Sequence, residues 1–358
     1  MALFVGFVEI TDFRKVRSVT ITPSSVGVTA IVGRNGQGKS SIIEALSYAI
    51  TGRSFRGAPK DSMITKECES SIVRANIFSN QRELLLELSL NRGGSDRLLL
   101  NRNVTPRRDV VRAIPLTVFT LSDIEIVSGS PAHRREFIDD SLILMGPRAS
   151  ETVDNYERLL QHRSHILKSL QRGDGSVGYD SLEIFDESLA IEGERLIRMR
   201  LSLLSRIEPI LNELYADIAG KGEKVLTSYV PSVRTNLMSD LLDSRRDDIR
   251  RGITSVGPHR DDIIFRINGL NARYEASQGE QRTLAFSLKM ALHELLRSRI
   301  GEDPIILLDD VFSELDEERI EKVLKRTKSA QAIVTTSIDH QIDEKVNQKL
   351  VIESGSLL

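Results

Sequence analysis

The feature that most constrains this 358-residue chain is a glycine-rich run of eight residues, Gly33-Arg34-Asn35-Gly36-Gln37-Gly38-Lys39-Ser40. An apolar stretch at 28–32 precedes the run, and the sequence Ser-Ile-Ile-Glu-Ala-Leu follows it at 41–46. The spacing G-x-x-x-x-G-K-S between an apolar strand and a helix is typical of a P-loop. The sequence therefore predicts a strand, a phosphate-binding loop and a helix, and with them a site for a nucleoside triphosphate.

Each residue type in this run suits the binding of phosphates. Glycines let the backbone turn tightly enough for successive N–H groups to face the phosphates, at a helix N-terminus whose dipole favours anions. We expect Lys39 to reach the β- and γ-phosphates and Ser40 to ligate Mg²⁺. The predicted cofactor-binding residues here are Gly33, Arg34, Asn35, Gly36, Gln37, Gly38, Lys39, Ser40 and Ser41. The alternative is a glycine-rich left-handed turn that only joins two core elements.

Composition limits the location and the partners of the chain. Lys and Arg total 49 against 51 Asp and Glu, so any DNA contact must come from a local basic patch. The single cysteine, Cys68, excludes an intrachain disulfide and suits a reducing cytosol. The apolar start at 3–8 is interrupted by Glu9 and Asp12, and no stretch approaches the roughly 18 apolar residues of a membrane span. We therefore expect a cytoplasmic protein without membrane contact.

Hydrophobic periodicity divides the chain into three segments. Before residue 120 the patterns are those of strands, at 5–10, 18–21, 28–32, 72–78, 84–90 and 97–100. Between 131 and 220 helices are predicted instead, at 148–170 and at 179–219, the second broken or kinked by Pro209. Strand patterns return at 225–230, 263–267, 305–308 and 332–335. The predicted fold class is α/β: a nucleotide domain at 1–125 and 223–358, interrupted by a mainly helical insertion at 126–222.

A second part of the nucleotide site is predicted at Ile305-Ile306-Leu307-Leu308-Asp309-Asp310, an apolar strand that ends in two acids. This is the form of a Walker B element beside a P-loop strand. We expect Asp309 to hold Mg²⁺ through water and Asp310 to orient or deprotonate the attacking water. The alternative is an ordinary polar strand end, which the P-loop upstream makes less favoured.

The run Ser277-Gln278-Gly279-Glu280-Gln281 stands where an amphipathic helix begins, the helix that carries Leu284, Leu288, Ala291 and Leu295 on one face. Ser277 and Glu280 have the spacing of a capping box, and a plain helix cap is one interpretation. The other is an ATP-binding-cassette signature, in which Ser277, the backbone of Gly279 and the helix dipole bind the γ-phosphate held by a second subunit. The order of motifs, which continues to Ser313-Glu314-Leu315-Asp316, supports the signature.

Further runs extend the pattern over nearly the whole chain. They are Ile10-Thr11-Asp12-Phe13-Arg14, Gly129-Ser130-Pro131 with Arg134-Arg135-Glu136-Phe137-Ile138-Asp139, Gly257-Pro258-His259-Arg260-Asp261-Asp262, and Leu308 to Asp316 with Arg319 and Leu324. Together these runs resemble the RecF proteins of bacterial DNA repair. One departure is Phe119-Thr120-Leu121-Ser122-Asp123, which stands where that family usually has a proline followed by an acid.

The resemblance implies a P-loop ABC-type, SMC-like ATPase head with a short helical arm. It implies an ATP-dependent homodimer that acts as an ATP-gated clamp on single-stranded DNA and single-strand to double-strand junctions. Such a protein would help RecO and RecR to load RecA in gap repair, DNA replication and SOS induction. The implied cofactors are ATP and Mg²⁺, and the implied catalytic residues are Asp310, Lys39 and, from the second subunit, Ser277. Many cassette ATPases carry Glu in place of Asp310, so the shorter acid predicts weak hydrolysis. The resemblance implies that DNA stimulates this hydrolysis.

Two basic clusters compete as DNA contacts. One lies in the insertion and consists of Arg134, Arg135, Arg148, Arg158, His162, Arg163, His165, Lys168 and Arg172, with acids among them. It is either a phosphate track or a solvated helix face of mixed sign. The other consists of Lys15, Arg17, Arg53 and Arg56. His259 is a candidate nucleotide sensor or a member of a loop network, and Phe13 and Arg14 either approach the adenine or have a structural role.

Three other functions compete with the clamp. The first is a switch module that binds ATP and recruits protein partners with negligible hydrolysis. A transporter engine is disfavoured by the long helical insertion and by the G-P-H-R-D-D run, and a small-molecule kinase leaves the signature at Ser277 without a purpose.

Overall fold

The computed structural model describes residues 3–79, 82–173, 179–220, 222–314, 317–327, 329–337 and 345–358. Its strands are β1 (Phe4–Phe13), β2 (Val16–Ile21), β3 (Gly27–Val32), β4 (Ser70–Ser79), β5 (Arg82–Asn91), β6 (Arg97–Leu100), β7 (Asn103–Val104), β8 (Leu116–Thr120), β9 (Val225–Val230), β10 (Asp262–Ile267), β11 (Leu270–Asn271), β12 (Ile305–Asp309), β13 (Gln331–Thr336), β14 (Gln348–Glu353) and β15 (Ser356–Leu357). Its α-helices are α1 (Lys39–Thr51), α2 (Arg107–Ala113), α3 (Glu125–Ser128), α4 (Pro131–Leu144), α5 (Pro147–Arg172), α6 (Tyr179–Ala219), α7 (Leu237–Arg251), α8 (Ala272–Glu275), α9 (Gln278–Ile300) and α10 (Glu317–Thr327).

The chain forms two compact units. The head unit consists of Met1–Ile124, Glu213–Gly222 and Arg282–Leu358, and the arm unit of Glu125–Asn212 and Glu223–Gln281. This division differs from the segments expected from the sequence, because residues 223–281 group with the helices. The reason is strand pairing: β9 and β10 are antiparallel partners, and with β11 they form a separate three-stranded sheet in the described part of the chain.

A largely parallel sheet, in the order β15-β14-β3-β13-β12-β8, forms the base of the head unit. All residues of β3, β12 and β13 are buried, as expected of parallel strands covered on both faces. The register pairs Val32 with Thr336 and Thr335 with Asp309. The carboxyl ends of β3, β13 and β12 therefore meet at one edge of the sheet, where ligands of open α/β sheets bind.

An antiparallel sheet, in the order β2-β1-β4-β5-β6-β7, forms the other layer of the head unit. Helix α1 packs against strands of both sheets, and its Ile42, Ile43 and Leu46 belong to the hydrophobic core that the two sheets share. The helix that follows the P-loop is thus fixed by apolar burial along most of its length.

Buried ion pairs connect helices of the arm unit. On α5, Arg163 is fully buried and makes ion pairs of 2.6 Å with Asp186 on α6 and 2.7 Å with Asp248 on α7. The predicted helices at 148–170 and 179–219 are confirmed, but α6 continues through Pro209 and is not broken there. In the described ranges, no helix is both long and apolar enough to span a membrane.

Two sequence predictions fall partly outside the described residues. Residues 174–176 of the turn expected at 172–176 lie outside the described residues. Leu315 and Asp316 of the acidic run after β12 also lie outside them. Helix α5 itself ends at Gly173, whose φ of 72° gives the left-handed cap that glycine adopts without strain.

Candidate functional site

The glycine run forms a loop between β3 and α1. Gly36 and Gly38 have φ values of 82° and 102°, in the left-handed region that glycine adopts freely. A Cβ on Gly33 would lie 2.3 Å from the carbonyl oxygen of Ile352, so this position has no space for a side chain. Helix α1 begins at Lys39, directly after the loop, and has no acid in its first turn. The loop and the helix N-terminus therefore present the backbone N–H groups and dipole that suit a phosphate chain.

Lys39 lies across this loop. Its Nζ donates hydrogen bonds to the carbonyl oxygens of Gly33 at 2.7 Å and Arg34 at 3.0 Å, and its side chain is buried. Burial lowers the pKa of Lys39, while the charges of Asp310 and Asp309 act in the opposite direction. The register of β3, β13 and β12 places the loop that carries this lysine at the same sheet edge as the two acids at the end of β12.

Thr335 on β13 makes a hydrogen bond to each of those two acidic residues. Its hydroxyl donates to a carboxylate oxygen of Asp309 at 2.7 Å and accepts the N–H of Asp310 at 3.0 Å. Asp310 has a φ of 54°, so the backbone turns sharply after Asp309. Sequence reasoning missed Thr335, since only a pair of threonines at the end of an apolar strand marks it.

The loop after β8 lies beside this edge, because Thr120 pairs with Asp309 in the register of β8 and β12. Asp123 accepts the N–H of Thr120 at 2.7 Å and makes an ion pair of 2.8 Å with Lys289. The hydroxyl of Ser122 lies 2.8 Å from that of Thr120. In this chain the loop that departs from the family pattern is therefore held by its own hydrogen bonds.

Ser277 caps helix α9 in a reciprocal capping box. The N–H of Ser277 donates to the Glu280 carboxylate at 2.7 Å, and the N–H of Glu280 donates to the Ser277 hydroxyl at 3.3 Å. The capping interpretation is confirmed. Ser277 and Gln278 are exposed at this helix N-terminus. The signature role of Ser277 and Gly279 toward a second subunit stays a prediction.

The run at 257–262 is part of a polar network within the arm unit. The Nε2–H of His259 donates to the Thr254 carbonyl oxygen at 3.0 Å, and its Nδ1 lies 2.7 Å from the Tyr156 hydroxyl. Burial, with the positive charge of Arg260, lowers the pKa of His259 to about 4. Of the two roles considered for His259, the geometry supports membership of a loop network.

Arg134 and Arg163 do not belong to a surface cluster, either as a phosphate track or as a solvated face. Arg134 is buried and makes a bidentate ion pair with Asp262, and Arg163 is enclosed by Asp186 and Asp248, so neither reaches solvent. Their partners lie far along the chain, which is why sequence alone presented them as part of a surface cluster. The exposed basic residues of that cluster are Arg148, Arg158, His162, His165, Lys168 and Arg172.

The strand end at Phe13 and Arg14 is structural. Phe13 is fully buried in the hydrophobic core and is not placed to stack on a nucleobase. Arg14 pairs with Glu44 of helix α1 at 2.5 Å. Among the other basic candidates of the head unit, Lys15, Arg17, Arg53 and Arg56 are exposed, and Arg17 pairs with Asp12 at 3.4 Å.

Comparisons with known proteins agree with this geometry. The family model of the RecF/RecN/SMC N terminal domain matches residues 4–354. The "DNA replication and repair protein RecF" of Streptomyces avermitilis is 33% identical over 356 residues, 95% of each chain. A solved structure of the recombination mediator protein RecF-ATP in the RecFOR pathway has a TM-score of 0.92 at 29% identity, covering 100% of this chain and 97% of its own. An Smc head domain from Pyrococcus furiosus, at a TM-score of 0.60 and 15% identity, covers 99% of this chain and 95% of its own and shares the fold.

These matches extend over nearly the full length and confirm the predicted fold class, a P-loop ABC-type, SMC-like head of mixed α/β structure. The chain belongs to the RecF family of DNA replication and repair proteins.

Proposed function

We propose that this protein binds ATP with Mg²⁺ at the P-loop and acts as an ATP-gated dimeric clamp on DNA. The observation that carries the proposal is the meeting of Lys39, Asp309 and Asp310 at one sheet edge beside the glycine cradle. A solved relative described as RecF-ATP supports ATP as the nucleotide.

The residues present fit a nucleotide with its metal. Gly33 has no room for a side chain, and Gly36 and Gly38 adopt left-handed backbone, so the loop keeps its backbone N–H groups accessible to phosphates. Ser40 and Asp309 are the proposed magnesium-binding residues, and the bond from Thr335 fixes the Asp309 carboxylate. Bound Mg²⁺ would neutralise charge on the terminal phosphates.

Lys39 is proposed to exchange its two carbonyl partners for phosphate oxygens. In this structure its Nζ is held by neutral backbone acceptors, and a charged phosphate is a stronger partner for an ammonium group. Asp310 is proposed to orient or deprotonate the attacking water. Its side chain is one carbon shorter than glutamate, so we expect weak hydrolysis.

We infer that Ser277 and the backbone of Gly279 bind the γ-phosphate held by a second copy. Support comes from the exposed position of Ser277 at the N-terminus of the 23-residue helix α9, where dipole and backbone favour an anion. ATP would then join two copies and hydrolysis would release them. The DNA, single-stranded or at a junction, would be held by local basic patches, and RecR and RecO are the proposed partners in the cytoplasm.

A switch module without significant hydrolysis is the second candidate. The short acid at Asp310 favours it, because catalysis by a positioned base depends on reach to the reacting water. The two candidates share nucleotide binding and dimerisation, and they differ only in turnover.

Analytical sedimentation with ATP, ADP or no nucleotide, each with and without gapped DNA, tests the proposal. Of the three nucleotide conditions, we expect only ATP to give dimers, and we expect DNA binding only in the ATP state. Ser277→Arg should lose the dimer while it still binds ATP. Lys39→Ala, which should bind ATP more weakly and lose ATP-dependent dimerisation, is the control for a nucleotide effect. A monomer under every condition contradicts the clamp. A dimer with an ATP turnover rate that DNA does not raise favours the switch module.

A further inference from the structure

The P-loop is hydrogen-bonded to a tight turn that comes from a distant part of the sequence. Strands β14 and β15 form a hairpin whose turn residues, Ser354 and Gly355, have φ values of 50° and 80°. Two consecutive left-handed residues are typical of a type I′ turn, which matches the twist of a two-residue hairpin. The turn lies beside Gln37, the residue of the P-loop just before Gly38 and Lys39.

Both turn amides are used on Gln37. The N–H of Ser354 donates to the side-chain oxygen of Gln37 at 2.5 Å, and the N–H of Gly355 donates to the Gln37 carbonyl oxygen at 3.0 Å. These bonds join residues more than 300 positions apart. Both bonds use oxygen atoms of Gln37 as acceptors, so they do not use any N–H group of the P-loop that could donate to a phosphate.

The contact is also close in space. A Cβ on Gly355 would lie 2.8 Å from the Lys15 carbonyl oxygen, and a Cβ on Gly38 would lie 3.6 Å from the Gly355 Cα. The Nζ of Lys15 in turn donates to the Gly36 carbonyl at 3.4 Å. The P-loop is therefore packed between the β1–β2 turn and the β14–β15 turn.

From this geometry we propose that the β14–β15 turn preorganises the P-loop for nucleotide and that Gln37 is its positioning residue. The inference rests on the proposed nucleotide binding at this loop. A glycine-rich loop loses much conformational freedom when it closes on phosphates, so a loop already fixed by the turn binds with less entropic cost. The side-chain oxygen and the carbonyl oxygen of Gln37 are both engaged by the turn, so we assign these two groups a positioning role.

Hydrogen exchange tests the contact without any ligand. In nucleotide-free protein the amides of Ser354 and Gly355 should be protected, and Gln37→Met, which keeps size but removes the acceptor, should speed exchange at Ser354. Gln161→Met makes the same change at an exposed site on α5 and should leave both amides unchanged. Equal protection of Ser354 in the parent and in Gln37→Met overturns the proposal.

Titration calorimetry with Mg·ADP tests the consequence, because ADP probes the P-loop without requiring a dimer. We expect Gln37→Met to bind about five- to tenfold more weakly, the effect of one lost hydrogen bond. Gly355→Ala should also weaken binding, since its Cβ meets the Lys15 carbonyl. Gly93→Ala is the matched control, because Gly93 also lies in a turn of the head unit, with a φ of 63° and open space around it.

The double variant distinguishes preorganisation of the P-loop by the β14–β15 turn from a general loss of stability. If both substitutions act through one contact, Gln37→Met combined with Gly355→Ala should weaken Mg·ADP binding by clearly less than the product of the single effects. Additive effects, or ADP affinities equal to the parent in both single variants, contradict the proposal. A parent protein that does not bind Mg·ADP would instead contradict the proposed function. The exchange experiment would still test whether Gln37 holds the β14–β15 turn.

Discussion

The guanidinium group of Arg14 makes a bidentate ion pair with the carboxylate of Glu44, with N–O distances of 2.5 and 2.6 Å. Glu44 is fully buried on helix α1 and also accepts a hydrogen bond of 2.6 Å from Ser54. Arg14 itself has a left-handed φ of 52° at the end of β1. The pair therefore joins the β1–β2 turn to the helix that follows the P-loop.

Removing the arginine should destabilise the head unit strongly. Arg14→Ala would remove the bidentate partner of a buried carboxylate, which Arg56 approaches at 3.7 Å, and breaking a buried pair from one side typically costs about 3–5 kcal/mol. Chemical denaturation should show a decrease of that order in the free energy of unfolding. Arg17→Ala is the control, because Arg17 pairs with Asp12 at the surface, and it should change stability little. Equal stability of both variants would contradict a structural role for the Arg14 pair.

Thr335→Val should weaken magnesium-dependent nucleotide binding while the sheet stays intact. Valine keeps the shape of threonine but removes the hydroxyl that fixes the Asp309 carboxylate and accepts the Asp310 N–H. We expect the Mg²⁺ concentration for half-maximal ATP binding to rise about tenfold, corresponding to one lost charge-assisted hydrogen bond.

The matched control is Thr117→Val on β8 of the same sheet. Thr117 is also buried, but its hydroxyl contacts His293 and not the acids. A magnesium requirement that rises equally in both variants, or in neither, would show that Thr335 does not position Asp309.

Stability should fall as the pH decreases from about 6.5 to about 4, partly because of His293. This histidine is buried beside Thr117, and burial lowers its pKa from 6.5 to about 4. Between these values the unfolded chain binds the proton and the folded chain does not, so the free energy of unfolding falls as the pH falls, by about 3 kcal/mol for a shift of this size.

Denaturation of parent and His293→Gln at several pH values measures this contribution. The variant should show a shallower loss of stability over that window, whereas His165→Gln, at an exposed position on α5, should follow the parent. Parallel curves for parent and His293→Gln would contradict the assignment.

Local sequence patterns predicted the parts of the site that lie within one element and its adjoining loop. The P-loop between β3 and α1, the acids at the end of β12 and the capping box at Ser277 each depend on residues close in the sequence. Periodicity and motif spacing report such short-range requirements directly.

The contacts that sequence reasoning missed depend on the pairing of distant strands and helices. Thr335 reaches the acids only because β13 is parallel to β12 in one particular register, and Gln37 meets Ser354 across 317 positions. Arg163 was a candidate for a DNA contact or a solvated helix face because its cluster is basic in sequence, while both acids that neutralise it come from other helices. Burial of a charged residue with a distant partner leaves no local signal.

The neighbouring acids Asp309 and Asp310 should give opposite phenotypes when each is changed to asparagine. Asp310→Asn keeps the strand end and the Asp309 carboxylate, so it should slow hydrolysis, accumulate the ATP-bound dimer and prolong its time on DNA. Asp309→Asn removes the charge that Thr335 holds in place, so it should weaken Mg²⁺ binding and impair formation of the dimer.

Sedimentation and single-turnover hydrolysis of both variants, at equal protein and Mg²⁺ concentrations, distinguish these outcomes. Raising Mg²⁺ should restore the dimer in Asp309→Asn, because its defect is in affinity, and should leave the slow hydrolysis of Asp310→Asn unchanged. If both variants lose the dimer to the same extent at every Mg²⁺ concentration, Asp310 is not the residue that acts on water. Both acids would then belong to the metal site, and the positive φ of Asp310 would serve to turn a second carboxylate toward it.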